Sequence, residues 1–239
     1  MIVKPDFQSQ GKGIFLTNNL DEIPRDSGDY VVQQYLKDPY LIDGLKFDIR
    51  LYVLVLSSDP LKIYLYRDGI VRFATQAYQP IDVDTDKAGL SNMCIHLTNY
   101  AVNKGANDFI MPADINDDNG HKRSLHKVLA RLKKEDQDTQ KIMGEIKDVI
   151  VKTILPIQPE LAHNYRTCQP SDQENLMCFE ILGFDIILDS NCKPHLLEVN
   201  HAPSFATESP LDYEIKHSLF QDTFQLLGLT LDRKLKKLK

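Results

Sequence analysis

The sequence has no run of about 18 apolar residues of the kind that spans a bilayer. Its opening "MIVKPDFQSQGKG" has neither the apolar stretch nor the small-residue cleavage site of a secretory signal. It therefore reads as a soluble, intracellular chain with no membrane partner. Cysteines are few, and Cys94, Cys168, Cys178 and Cys192 fall in no CxxC or other metal-ligand spacing. Two of them lie inside predicted strands, which suits reduced, buried thiols better than bridges. Positive charge is also scarce. The 28 Lys and Arg against 34 Asp and Glu give a net charge of -6, which removes any global reason to expect nucleic acid. Only the terminal "RKLKKLK" is locally basic, and a solvated helix end explains it. The GxxxxGK[ST] phosphate loop is missing, as are internal repeats and low-complexity segments.

What remains is ordinary globular composition, 239 residues with 42% hydrophobic and 26% charged, enough for one large domain or two small ones. "MIVKP" begins like a strand that has been cut into, with no helix, cap or linker before it, so an N-terminal portion is expected to be missing. "QSQGKGIFLT" reads as a glycine-rich turn between two strands, and "YVVQQYL" as a further strand. Residues 1–44 thus resemble half of a small mixed unit. From residue 45, "KFDIRLYVLVL", "LKIYLYR" and "GIVRFAT", separated by "SSDP" and "DG", predict an antiparallel meander of three strands. In its first strand Asp48, Arg50 and Tyr52 share one face, while Phe47, Ile49, Leu51 and Val53 share the other, so one face is charged and the other is core.

Apolar residues at helical spacing in "HKRSLHKVLARLKK" and "DQDTQKIMGEIKDVIVKTIL" predict two core-facing helices. The intervening "GANDFIMPADINDDNG" reads as a mobile polar loop, and a last helix over about 211–227 stops at Gly228. The segment "FDIILDSNCKPHLLEVNHAPSF", residues 184–205, reads as two apolar strands around a tight turn. Folding it about "DSNC" sets Asp185 opposite Glu198, with Asn200 two residues on along the same face. At a few Å and an effective dielectric near 20, two such charges repel by about 3 to 4 kcal/mol, so the pair must share a proton or a cation. Two carboxylates and an Asn carbonyl are hard oxygen ligands, which suits Mg²⁺. A solvent-facing amphipathic hairpin is the competing reading, and the apolar flanks "FDIIL" and "HLLEVN" weigh against it.

Three other clusters stay open on the residues alone. "KPDFQSQGKG" is either a simple hairpin turn or a phosphate cradle built from Lys4, the glycines and Lys12. Lys46, Asp48 and Arg50, with Arg72 on a neighbouring strand, form either salt-bridged surface or a site that holds a phosphate and a carboxylate together. "CIHLTNYAVNK" concentrates small polar donors after a strand, and alone it would be a loop.

Taken in order, KP–QGKG, VVQQYL, KFDIRLYVLV, GIVRFAT, HLTNYAVNK and CFEILGFDIILD–KPHLLEVNHAPSF resemble the tubulin tyrosine ligase-like family over nearly the whole chain. "HNYRTC" and "NHAPSF" look most like its polyglutamylases. The resemblance implies an α+β ATP-grasp fold, with a partial central subdomain at 1–44, a C-terminal subdomain at 45–239 and the N-terminal subdomain absent. It implies an ATP-dependent ligase that adds glutamate to glutamate side chains of tubulin tails through an acyl phosphate. Glycine or tyrosine ligation, and a truncated chain that binds only nucleotide or tubulin, are the alternatives.

Carried over, the family pattern gives Lys4, Gln10, Gly11 and Lys12 as phosphate contacts. Gln33, Gln34, Tyr35 and Leu36 become the adenine hinge, and Lys46, Asp48, Thr98 and Asn99 further nucleotide contacts. Asp185, Glu198 and Asn200 match ligands for two Mg²⁺ ions, with Glu198 bridging them. Arg72, Tyr100 and Lys122 match the grip on free glutamate, and Arg50 sits near the transferred phosphate. Arg50, Arg72 and Glu198 are the residues expected to carry catalysis. Gln10 and His201 resemble the chain-elongating branch. The resemblance also implies a monomer in the cytoplasm and cytoskeleton, at axonemes or basal bodies. Two positions depart from the pattern: Phe7 stands where a small residue is usual, and His195 where a Trp is. The basic microtubule-holding segment of some relatives is reduced to 233–239.

Overall fold

The computed structural model of the chain describes residues 1–6, 11–24, 28–80, 93–172 and 174–228. Two antiparallel sheets organise it. The smaller has the order β2-β1-β3, with β1 at Ile2–Pro5, β2 at Phe15–Leu16 and β3 at Tyr30–Gln33. The larger has six strands. Its path runs from β7 (Lys122–Ser124) through β6 (Leu61–Phe73), β5 (Leu45–Ser58) and β8 (Glu180–Leu188) to β9 (Pro194–Asn200), and β4 (Leu41–Ile42) pairs with β5. The glycine-rich segment does lie between two paired strands, since Ile2 and Leu16 are partners.

The expected three-stranded meander is two long strands. "SSDP" turns the chain, but "DG" does not, and β6 runs through it as a bulge. Leu51 pairs with Gly69 and Val53 with Leu65, so Tyr66, Arg67 and Asp68 stand opposite Tyr52 alone. The Asp68 carboxylate takes the hydrogen bonds a turn would have formed, accepting from the Gly69 N–H at 2.8 Å and the His126 N–H at 3.2 Å. Gly69 is required there, because a Cβ would lie 2.6 Å from the Arg50 backbone oxygen.

Helices cover both faces of the large sheet. On one face α3 (Leu125–Lys134) and α4 (Thr139–Ile154) pack against Phe47, Ile49, Leu51, Val53, Val71, Phe73 and Phe184. Before them come two short turns of helix, α1 (Met93–His96) and α2 (Tyr100–Asn103), where a loop was expected. Helix α4 buries Ile142, Ile146, Ile150 and Ile154, one per turn, each worth about 1.5–3 kcal/mol on burial. Ser124 and Asp138 cap α3 and α4 by accepting from the Lys127 and Lys141 N–H groups.

On the other face α6 (Pro210–Leu227) lays Leu211, Ile215 and Leu219 over Tyr52, Leu54 and Ile70, and Gly228 ends it in the left-handed conformation. The face expected to be charged is therefore divided. It is polar from Lys46 to Arg50 and becomes a second core from Tyr52 onward.

An unexpected helix, α5 (Gln158–Cys168), follows α4, and Ala162 is its only buried residue. The segment from Gly105 to Gly120, expected to be mobile, is tied by its own hydrogen bonds. Asp117 accepts from the Ala113, Asn119 and Gly120 N–H groups, and these bonds lower its carboxyl pKa. All four cysteines are free, but only Cys192 is buried. Cys94 is partly covered, and Cys168 and Cys178 are exposed. The basic tail 233–239 and Phe7 lie outside the described residues.

Candidate active site

The polar end of the large sheet faces the small one across a cleft lined by Lys4, Lys46, Asp48, Arg72, Thr98, Asn99, Asp185 and Glu198, with Ile2, Ile14 and Leu197 as apolar walls. Strand register builds it. Arg72 on β6 is partner to Asp48 on β5, Arg50 on β5 to Asp185 on β8, and Asp185 to Glu198 on β9. Alternation then points all five side chains to one face.

Charge runs through these pairs continuously. Arg72 donates to Asp48 Oδ1 at 2.9 Å and again to Asp48 Oδ2, then reaches Asp185 Oδ2 at 2.8 Å. Arg50 grips Asp185 with both Nε and Nη2, the latter at 2.8 Å. Burial alone would raise the Asp185 carboxyl, which is 2% exposed, but Arg72 and Arg50 hold it well below the usual range. The cation demanded by the acid pair is thus partly supplied by two guanidinium groups. Glu198 has no such grip. Desolvation in the cleft, and then the neighbouring Asp185, push its carboxyl above its ordinary value.

Asn200 stands beside it, donating to Glu198 Oε1 at 3.3 Å. Among the described residues no cluster of three His, Cys, Asp or Glu is placed to hold a metal ion, and the predicted set of two acids and one amide is smaller than that. It still fits Mg²⁺, because Glu198 offers hard oxygens and, unlike Asp185, is not gripped by a guanidinium.

Lys46 is buried on the same face. It donates to the Tyr35 hydroxyl at 3.0 Å and the His96 carbonyl at 2.8 Å, and lies 4.5 Å from the Tyr35 ring centroid. Burial is the main cause that lowers it to about 8, opposed by Asp48 and assisted by Lys4. Tyr35 is therefore a support for Lys46, while Gln33 and Gln34 are exposed and Leu36 is half-buried; none of these three lines the cleft. Gly11 adopts φ +78°, and a Cβ on it would press on Val102 and Asn99, so the glycine-rich segment meets α2 only without a side chain. Lys12 and His201 are exposed. Gln10 lies outside the described residues.

Lys122 is the cross-strand partner of Arg72 and sits 3.8 Å from the Tyr100 ring centroid. The three residues of the expected glutamate grip are thus brought together. Lys122 is already bonded to Asp212 at 2.9 Å, and Asp212 also binds Lys216 at 3.1 Å. Neither Asp212 nor Lys216 was expected in a site. Their signal was an Asp and a Lys four residues apart on a helix, a spacing shared by many solvated helix faces.

The match to known proteins covers nearly the same span as this fold. The model of the "Tubulin-tyrosine ligase family" matches residues 1–236. A "Probable beta-tubulin polyglutamylase" of Tetrahymena thermophila is 53% identical over 234 residues, covering 98% of this chain and 19% of that protein. Mouse "Tubulin polyglutamylase TTLL6" is 46% identical over 228 residues, covering 95% of this chain and 27% of its own. Mouse "Tubulin polyglutamylase TTLL7" is 41% identical over 240 residues, covering 99% and 25%. This chain spans about a fifth to a quarter of the length of these relatives. A family match that leaves out only the last three residues establishes that the chain belongs to the tubulin-tyrosine ligase family.

Proposed function

We propose that the chain carries the ligase chemistry of a tubulin polyglutamylase, adding glutamate to glutamate side chains of tubulin tails at the expense of ATP. The observation that supports it best is the cleft itself. It places Lys4, Lys46 and Arg72 opposite an acid pair, within a family whose similar members are named polyglutamylases. In this reading the fold is ATP-grasp, with 1–44 part of the central subdomain and 45–239 the C-terminal one.

An acceptor carboxylate oxygen attacks the γ-phosphorus of ATP and ADP leaves. The amine of free glutamate then attacks the acyl carbon, phosphate leaves, and the amine gives up a proton. Bringing a carboxylate to a phosphate gathers negative charge, and no nucleophilic side chain is needed. Lys4 and Lys46 hold the nucleotide, and Arg50, bonded to Asp185 beside the cleft, would neutralise the transferred phosphate. Glu198, with Asp185 and Asn200, would hold Mg²⁺, which when bound neutralises phosphate oxygens and aligns them for displacement. Arg72, Tyr100 and Lys122 receive the free amino acid, and their paired cations suit glutamate better than glycine. Gln10 and His201 would favour chain elongation, and the setting would be the cytoskeleton, at axonemes or basal bodies.

The test is incorporation of labelled glutamate, glycine or tyrosine into microtubules with ATP and Mg²⁺, beside Glu198→Gln. Glutamate label that falls by about 100-fold or more in the variant is expected. Label from glycine alone, or equal label with Glu198→Gln, overturns the reading.

A further inference from the structure

Behind the proposed amino-acid grip lies a buried cluster that the reaction scheme above does not use. Asp212, in the first turn of α6, is 2% exposed, and Lys122 and Lys216 are each 6% exposed. One carboxylate oxygen takes Lys122 at 2.9 Å and the Ser209 hydroxyl at 2.7 Å, and the other takes Lys216 at 3.1 Å. Lys216 also donates to the Ala206 carbonyl. Two ammonium groups are thereby held side by side on a single acid, away from water.

Such a pair is costly unless further negative charge meets it. The neighbouring pairs do not supply it. Arg50 and Arg72 are matched by Asp48 and Asp185, whereas Lys122 and Lys216 share the single carboxylate of Asp212. The lysine pair is thus one negative charge short, and an ammonium has three donors, of which Lys122 gives one to Asp212. Lys122 is the strand partner of Arg72, which lines the cleft, and lies 3.8 Å from the Tyr100 ring centroid, so the pair stands next to the cleft.

We propose that Asp212 is a positioning residue, which holds Lys122 and Lys216 as a two-lysine cradle for a carboxylate of the incoming glutamate. The proposal rests on the ligase reading above. Asp212 cancels enough repulsion to keep the lysines together, and leaves enough positive charge to bind an anion.

The experiment is calorimetric binding of L-glutamate, glycine and L-tyrosine to the full chain with Mg²⁺ and a non-hydrolysable ATP analogue. Asp212→Asn is expected to weaken glutamate binding by about 10-fold or more, the loss of one charge-assisted contact. The affinity for the ATP analogue should stay within about twofold, and Asp212→Glu should recover part of the loss. Unchanged glutamate affinity in a folded Asp212→Asn overturns the proposal, as does an equal loss of nucleotide affinity. If Asp212→Asn does not fold, Ser209→Ala decides. A loss of about threefold supports the cradle, and no loss overturns it. Binding of glycine or tyrosine in place of glutamate, weakened by Asp212→Asn, would sink the glutamate reading and leave the cradle standing. Binding of none of the three amino acids by the wild type overturns the cradle itself.

Discussion

Lys46 gives the sharpest handle on the proposed nucleotide end of the cleft. The residue is 6% exposed, its ammonium is bonded to two neutral oxygens, and burial takes it from 10.5 to about 8. Holding it charged inside the fold therefore costs about 3 kcal/mol relative to the unfolded chain. That cost is present in full below pH 8 and fades as pH rises toward 10.5, because between those values the unfolded chain binds the proton that the folded one has released. Lys46→Met should therefore raise stability at pH 7, and its gain over the wild type should shrink as pH rises from 8 to 10.

Nucleotide binding must run the opposite way. At pH 7 about nine-tenths of the molecules carry a charged Lys46 to meet a phosphate, and at pH 9 about one-tenth do. If only the charged form binds well, the Kd for an ATP analogue with Mg²⁺ rises by about 10-fold between pH 7 and pH 9. Calorimetry or fluorescence titration across that range measures it directly, with Lys46→Met weak and flat as the control. A wild-type Kd that stays constant from pH 7 to pH 9, or a Lys46→Met profile as steep as wild type, refutes the assignment of Lys46 to the phosphates.

Other perturbations test the frame. Gly69→Ala pushes a Cβ into the Arg50 carbonyl oxygen and should lower stability by about 2 to 4 kcal/mol in urea unfolding. Asp185→Asn leaves Arg50 and Arg72 short of a shared counter-charge, with an expected loss of about 3 to 5 kcal/mol at pH 7. Because the native Asp185 carboxyl is depressed, the wild-type advantage over that variant should persist above the ordinary carboxylate pKa and shrink as pH falls below it. Asp138→Ala removes the cap that accepts from the Lys141 N–H at 2.9 Å, costing about 1 kcal/mol with nucleotide binding unchanged.

Where one alternation or one helical period decided a face, the sequence could be read. The apolar rows of α3 and α4 and the stop at Gly228 followed from spacing, and the pairing of Asp185 with Glu198 was read correctly although it needs a bulge. The misses share a physical cause, which is that local residues were given a tertiary job. Asp68-Gly69 has turn chemistry, yet its hydrogen bonds go to the bulge and to the start of α3. Helix α5 buries only Ala162, so it has almost no apolar period to detect. Cys178 stands between Met177 and Phe179 along the chain but at its surface in space. The pairing of Lys122 and Lys216 on Asp212 joins elements 90 residues apart, a distance over which no pattern in one sequence speaks.

The acid pair depends on register more finely than spacing alone suggests. Between the pairs Asp185–Glu198 and Ile186–Leu196 the register shifts, so Leu197 is an extra residue on β9. Without that bulge, Leu197 would face Asp185 and Glu198 would turn to the other side. The turn below is pinned by Asp189, whose carboxylate accepts from the Asn191 and Lys193 N–H groups at 2.9 and 3.0 Å and bonds His195 at 2.9 Å. His195 therefore takes part in fixing the strand that carries Glu198. From β6 to β8 opposite charges meet and are satisfied within the protein, but at β9 acid meets acid. That mismatch is the one step of the row left for a ligand to complete, and a bulge and a pinned turn hold it in place.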